Sequence, residues 1–251
     1  MRQRSTRHNP PRPVQNAAFR RWFAESVVTD GSGQPLVVYH GTRSPIDFSA
    51  FETGAVFNDD GEVVVQSSLA PSAYLGPHFA VEHEIASAFA LGRAAAWDRE
   101  RHVARGKASG RVIPVVLSIK NPMRFDTEAD MDAWIAAYGR SEYYEEMEWQ
   151  VAEQNGVEPD LKNVTAKQMF GVIRLLMNQS MDDGPESVGA EVCRQFGESA
   201  RDKLISMGHD GVYYANVVEG GSAWVALLPG SVKSATGNDG TWDADDPDIT
   251  S

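Results

Sequence analysis

An imidazole at the end of a β-branched run, followed at once by glycine, is the first place in this sequence where chemistry could reside. In Tyr39-His40-Gly41-Thr42 the ring can donate or accept a hydrogen bond, and glycine lets a flat ligand approach the backbone closely. The N–H and C=O of Gly41 match the acceptor and donor atoms of a carboxamide. A strand-end histidine also serves as a plain surface group, so the four residues alone leave both readings open. Gly76-Pro77-His78-Phe79 is the second candidate. A turn ahead of a helix presents two rings there, which can stack on a planar heterocycle or, for Phe79, simply fill a core. The third is Glu219, a carboxylate in the loop Glu219-Gly-Gly-Ser222, read either as a site acid that folds back or as a solvated loop acid.

The elements that must position these groups follow from periodicity. Phe19, Trp22 and Phe23 recur at helical spacing, which predicts a helix starting near Gln15. Two β-branched runs flank Asp30-Gly31 and predict a hairpin whose second arm ends at His40. Residues 52–72 read as a long loop or small hairpin around Val63-Val64-Val65. Val81, Ile85 and Phe89 predict one apolar helix face. Arg111 to Ile119 is the clearest strand, and Pro114 suggests an edge position or a bulge. Helical patterns between about 127 and 180 contain no strand signal and read as an inserted lobe, with capping-box starts at Thr127 and Thr165. A longer helix runs from Val188 to Met207 with Gly208 as its C-cap. Gly211–Val218 and Ala223–Leu228 read as paired strands, and the stretch from Gly237 onward as irregular. Strands at both ends with helices between them indicate an α+β fold. No G-x-G-x-x-G follows a strand, which argues against a Rossmann site.

Composition narrows the function classes. The 251 residues carry a formal net charge of −12, which disfavours non-specific binding to nucleic acid. The first sixteen residues hold Arg2, Arg4, Arg7 and Arg12 and no acid. They read as a disordered Arg/Pro-rich tail, leaving residues 17–251 as one domain. No apolar run approaches the roughly 18 residues of a membrane helix, and residues 1–16 lack the apolar stretch of a secretory leader. A cytoplasmic protein is expected, whether in a bacterium or a phage-infected host, with delivery into another cell left open. Cys193 is the only cysteine, so an internal disulfide and a thiolate zinc cluster are excluded. Asp243-Ala-Asp-Asp-Pro-Asp248 lacks the glycine and the terminal Glu of a calcium loop, and the acidic run from Glu142 to Glu148 reads as a solvated helix face. No metal is expected.

Five strings then occur in a telling order: Pro35-Leu-Val-Val-Tyr-His-Gly-Thr42, Gly76-Pro-His-Phe79, Ile113 to Pro122, Gly208-His-Asp-Gly-Val212, and Val232-Lys-Ser-Ala-Thr-Gly-Asn238 with Asp245-Asp-Pro-Asp-Ile249. Together they resemble the ADP-ribosyltransferase domains of phage and mobile-element polyvalent proteins, similar to the diphtheria-toxin and poly-ADP-ribose-polymerase branch. The resemblance covers roughly residues 17–249. It implies a split antiparallel β-sheet with the helical lobe inserted, NAD⁺ as substrate, and an unknown protein or nucleic-acid acceptor. It implies that His40 bonds a ribose hydroxyl, that the Gly41 backbone holds the nicotinamide carboxamide with Tyr39 and Thr42 beside it, and that His78 with Phe79 covers the nicotinamide ring. The acid that active members place before an aromatic on the penultimate strand falls here on Ala223, ahead of Trp224. Cleaving the nicotinamide–ribose bond builds oxocarbenium-like charge, which a nearby carboxylate stabilises. The expected catalytic set is therefore His40, His78 and Glu219. The alternatives are a catalytically degenerate NAD⁺-binding domain and an interaction segment of a larger polypeptide.

Overall fold

The computed structural model describes residues 13, 15–42, 49–51, 55–57, 63–66, 71–91, 110–125, 188–215 and 221–251. Glu219, the expected lobe at 127–180 and most of the Arg/Pro-rich tail lie outside them.

Seven strands join in one sheet with the order β6-β7-β8-β4-β1-β5-β9. They are β1 (Val38–Thr42), β4 (His78–Ala80), β5 (Arg111–Leu117), β6 (Pro122–Phe125), β7 (Gly211–Ala215), β8 (Ser222–Ala226) and β9 (Val232–Ser234). A separate hairpin pairs β2 (Ala55–Phe57) with β3 (Val63–Gln66). Among the described residues the α-helices are α1 (Ala17–Trp22), α2 (His83–Ala90) and α3 (Val188–Ser206). This mixed sheet with a few helices is α+β, as expected. It is not wholly antiparallel: β6 runs parallel to β7. Parallel neighbours need a long crossover, and the chain between them, residues 126–210, supplies it.

Neighbouring residues on a strand face opposite sides of a sheet, and two cores result. One holds Val38, Phe79, Val115, Leu117, Trp224 and Ile249. The other holds Phe19, Trp22, Tyr39, Ala80, Ala86, Val116 and Trp242, with α1 anchored by the Trp22 indole N–H to the Gly230 carbonyl at 2.9 Å.

Several short-range expectations are altered by long-range packing. The Asp30 hairpin is short: it has the bridge Thr29↔Pro35 and the bonds from Asp30 N–H to the Gln34 carbonyl and from Leu36 N–H to the Val28 carbonyl, while Val27 donates its N–H to Ile119 instead. Pro114 sits on an interior strand, between β1 and β9, not on an edge. Its carbonyl accepts from Ala235, just beyond the end of β9, so the missing N–H falls on the β9 side, where the ladder stops, and the pairing with β1 loses no bond. The buried face of α2 is Ala86 and Ala90, while Phe89 is 42% exposed. A methyl group on Gly41 would run into the Ala86 carbonyl, and one on Gly110 into the Ala90 carbonyl. Two glycines and two alanines thus let α2 lie almost on the sheet, with Phe89 left outside and Ile85 packed at the margin of the core. Gly208 ends α3 at φ +87°, donating its N–H to Ile205, as its position predicts.

Lys233 on β9 is fully buried. Its ammonium donates to the carbonyls of Asp246 (2.8 Å) and Asp248 (2.6 Å) and to the Ser251 hydroxyl (2.8 Å). Burial lowers its pKa, while Asp246, Asp243, Asp248 and Asp239 pull the other way. Lys233→Met would leave the Asp246 and Asp248 carbonyls without their donor, and urea denaturation is expected to register a loss of about 2–4 kcal/mol.

Candidate active site

The ladder between β1 and β4 consists of one pair, Tyr39↔Ala80, whereas β1 pairs with β5 at five positions from Val38 to Thr42. Beyond Tyr39 the two strands part. Along a strand, successive residues direct their N–H and C=O to alternate edges. The Pro114 carbonyl faces β9, so Ile113 and Val115 face β1, and their partners His40 and Val38 face β5. Gly41 therefore directs its N–H and C=O toward β4, past the end of that ladder.

The same opening is spanned by a side chain. His40 Nδ1 lies 2.8 Å from the His78 carbonyl oxygen. A carbonyl only accepts, so Nδ1 carries the proton. Burial pushes the ring's pKa down to about 4, outweighing the carbonyl bond, which raises it, with a smaller lowering from His78. At neutral pH the ring is uncharged, and Nε2 is a bare acceptor suited to an incoming hydroxyl. Phe51 packs edge-on against it (centroids 4.9 Å apart) and Phe79 lies at 5.8 Å.

The low pKa sets a pH dependence. An unfolded histidine titrates near 6.5, so between about 6.5 and 4 the unfolded chain holds the extra proton. This contribution to stability is fully present above pH 6.5 and is lost as pH falls toward 4, at up to about 1.4 kcal/mol per pH unit. The apparent Tm of wild type is expected to drop across this window more steeply than that of His40→Gln; parallel curves would assign the loss to other groups.

His78 and Phe79 do not act as a pair. Phe79 is fully buried, a floor beneath His40 and Phe51. His78, its neighbour on β4, turns to the other face, where its Nδ1 lies 3.0 Å from the Tyr214 hydroxyl. Thus the His40 ring meets the His78 backbone, and the two imidazoles leave the sheet on opposite sides. Tyr39 is buried with its ring edge-on to His83, 5.2 Å away, on the α2 side. Its phenol pKa is raised by burial and then by Glu84. Thr42 ends β1 opposite Arg111. Ala223 is 3% exposed, flanked by Ala80 and Tyr214. Glu82, the residue ahead of α2, brings a carboxylate to this strand's start: its Oε2 accepts from the Ser222 N–H at 3.3 Å.

Two aromatic residues, one beside Gly41 and one across β8 from His78, do not stand out in the sequence. Phe89 is exposed, and its β-carbon would lie 2.9 Å from a methyl group on Gly41. Its place in an apolar stripe suggests a core residue; only the approach of α2 to Gly41 reveals that the side chain starts beside that backbone. Tyr214 is hidden in the Tyr213-Tyr214 pair. Alternation separates them: Tyr213 lies against Trp224 (4.7 Å) and under the Arg124 guanidinium (4.4 Å), while Tyr214 faces His78.

Among the described residues no His/Cys/Asp/Glu group could hold a metal ion, and no helix is long and apolar enough to cross a membrane. Comparison with known families gives a match over residues 30–242 to a model described as ADP-ribosyltransferase in polyvalent proteins. No curated protein and no solved structure matches the chain.

Proposed function

Because the chain belongs to the family of ADP-ribosyltransferases in polyvalent proteins, we propose that it binds NAD⁺ at the opening between β1 and β4, cleaves the nicotinamide–ribose bond, and passes ADP-ribose to a protein or nucleic-acid acceptor or to water. The observation that carries this reading is the early end of the β1–β4 ladder beside Gly41. A carboxamide is a donor and an acceptor on one plane, and the edge of Gly41 offers the complementary pair. Phe89 is exposed and carries its β-carbon close to Gly41, which makes its ring our candidate to cover the nicotinamide. His40 Nε2 accepts a ribose hydroxyl, and its neutral state avoids repulsion with the positively charged nicotinamide ring. His78, Tyr39 and Thr42 border the opening from β4 and β1.

In this reaction the C1′–N bond breaks, nicotinamide leaves with the bonding electron pair, and positive charge develops on the ribose before the acceptor oxygen or nitrogen attacks. Glu219, in the loop before β8, is our candidate for the carboxylate opposite that charge. Ala223 favours a second reading, a degenerate domain that holds NAD⁺ without turning it over, since an alanine there removes a large electrostatic contribution. Both readings place the domain in a polyvalent protein of a phage or mobile element, with an effector role as the corresponding proposal.

Nicotinamide release from NAD⁺, followed by chromatography at micromolar protein, decides between them. Time-dependent release supports the transferase or glycohydrolase. Saturable NAD⁺ binding by calorimetry with no release over hours supports the degenerate domain, and no binding at all overturns both.

A further inference from the structure

The Tyr214 hydroxyl and His78 come from strands that are not neighbours: β7 and β4 lie on either side of β8. Tyr214 is directly opposite Ala223, and His78 directly opposite Val225. All four share one face, so the 3.0 Å contact between the phenol and His78 Nδ1 is made above β8, over the span from Ala223 to Val225. Two strand spacings of roughly 4.8 Å separate the backbones, and two long rings must lean together to close it. They meet with centroids 6.0 Å apart at 79°. A bridge of this kind needs a low side chain beneath the phenol, and the methyl group of Ala223 provides it.

We propose that Tyr214 is a positioning residue of the NAD⁺ site, which holds the His78 imidazole in one plane and one tautomer and occupies the place that an acid at position 223 would contest. A phenol is a stronger O–H donor than a neutral imidazole N–H, and an imidazole nitrogen is the stronger acceptor. Tyr214 therefore donates to His78 Nδ1, and the ring proton resides on Nε2. This is the reverse of His40, whose Nδ1 carries the proton because it faces a carbonyl. The two rings thus hold opposite tautomers on opposite sides of the sheet, and the proton that Tyr214 fixes is the one on His78 Nε2. Ala223 is then not merely the loss of an acid. It is the small residue that a Tyr214–His78 bridge requires, and a glutamate introduced there would rise into the phenol.

This inference rests on the NAD⁺ reading, and its test separates the two. Protein labelled with ¹⁵N-histidine, with His78→Asn to assign the signal, reports the His78 tautomer by two-bond ¹⁵N–¹H correlation without NAD⁺. Wild type is expected to show Nε2–H. Tyr214→Phe, which keeps the ring, is expected to shift the His78 nitrogens toward a tautomer mixture, leave the Tm within a few degrees, and lower kcat for nicotinamide release by about 10–100-fold. Adding Tyr214→Phe to His78→Asn is expected to cost nothing further. Ala223→Glu is expected to disturb the same nitrogens and not to raise kcat. Unmoved His78 signals in Tyr214→Phe overturn the tautomer assignment whatever the activity. Shifted signals with an unchanged kcat overturn the positioning role. A wild type that releases no nicotinamide removes the activity reading and the kinetic role together, while the nitrogen signals still decide the bridge.

Discussion

Replacing His40 with alanine is expected to reduce nicotinamide release at least about 100-fold, the scale at which removing one oriented hydrogen-bonding group is felt in an active site. Two consequences combine. The Nε2 acceptor for the ribose hydroxyl disappears, and the His78 carbonyl loses the donor that ties β4 to β1 beyond their single pair. His40→Gln separates them, since its amide N–H₂ can donate to that carbonyl while its oxygen stands elsewhere. Recovery of thermal stability without recovery of rate in His40→Gln would assign the loss to Nε2. Equal and full activity in all three proteins would remove His40 from the mechanism.

Gly41→Ala is expected to damage stability and NAD⁺ binding together. The new methyl group meets the Ala86 carbonyl, and the Phe89 β-carbon lies 2.9 Å away. The first obstacle is backbone, so α2 must move as a body. Overpacking of this kind costs about 3 kcal/mol or more. Displacing α2 also carries Phe89 away from the strand edge that Gly41 presents, so NAD⁺ binding should fall with stability. Gly110→Ala makes the matching clash at Ala90 and should cost similar stability with a smaller effect on NAD⁺ affinity. Gly31→Ala has nothing within 4 Å and should be neutral. Urea unfolding and calorimetric titration of the four proteins measure both quantities. A Gly41→Ala protein as stable as wild type would refute the packing described for α2.

What can be read in the sequence, and what cannot, divides by range. The helix through Phe19 and Trp22 and the strand from Arg111 carry their own period over enough residues to be recognised, and α3 has its period together with Gly208 at its end. The strand β4 has three residues, too few for alternation to register, and its sequence reads as a helix lead-in. That makes His78 and Phe79 look like one platform, when a strand must send adjacent side chains to opposite faces. In α2 the large apolar residues suggest the core, but the contact is set by how closely backbones approach, and that depends on Gly41 and Gly110 from distant parts of the chain. Family resemblance points to His40 and Gly41. It cannot give the tautomer of His40, which follows from a carbonyl 38 residues away, nor Tyr214, whose partner lies two strands across.

The clasp of Lys233 has an outcome at the rim of the sheet. β9 is the terminal strand, and the outer row of a terminal strand is a standing invitation to a foreign strand. Here the Ser234 N–H is already given to the Ile249 carbonyl at 2.7 Å, and the Ile249 N–H in turn binds the Ser49 carbonyl. A buried cation beneath this cover makes it costly to peel away. Whatever loosens the cover therefore does more than lower the melting point: it uncovers a template for aggregation two strands from His40.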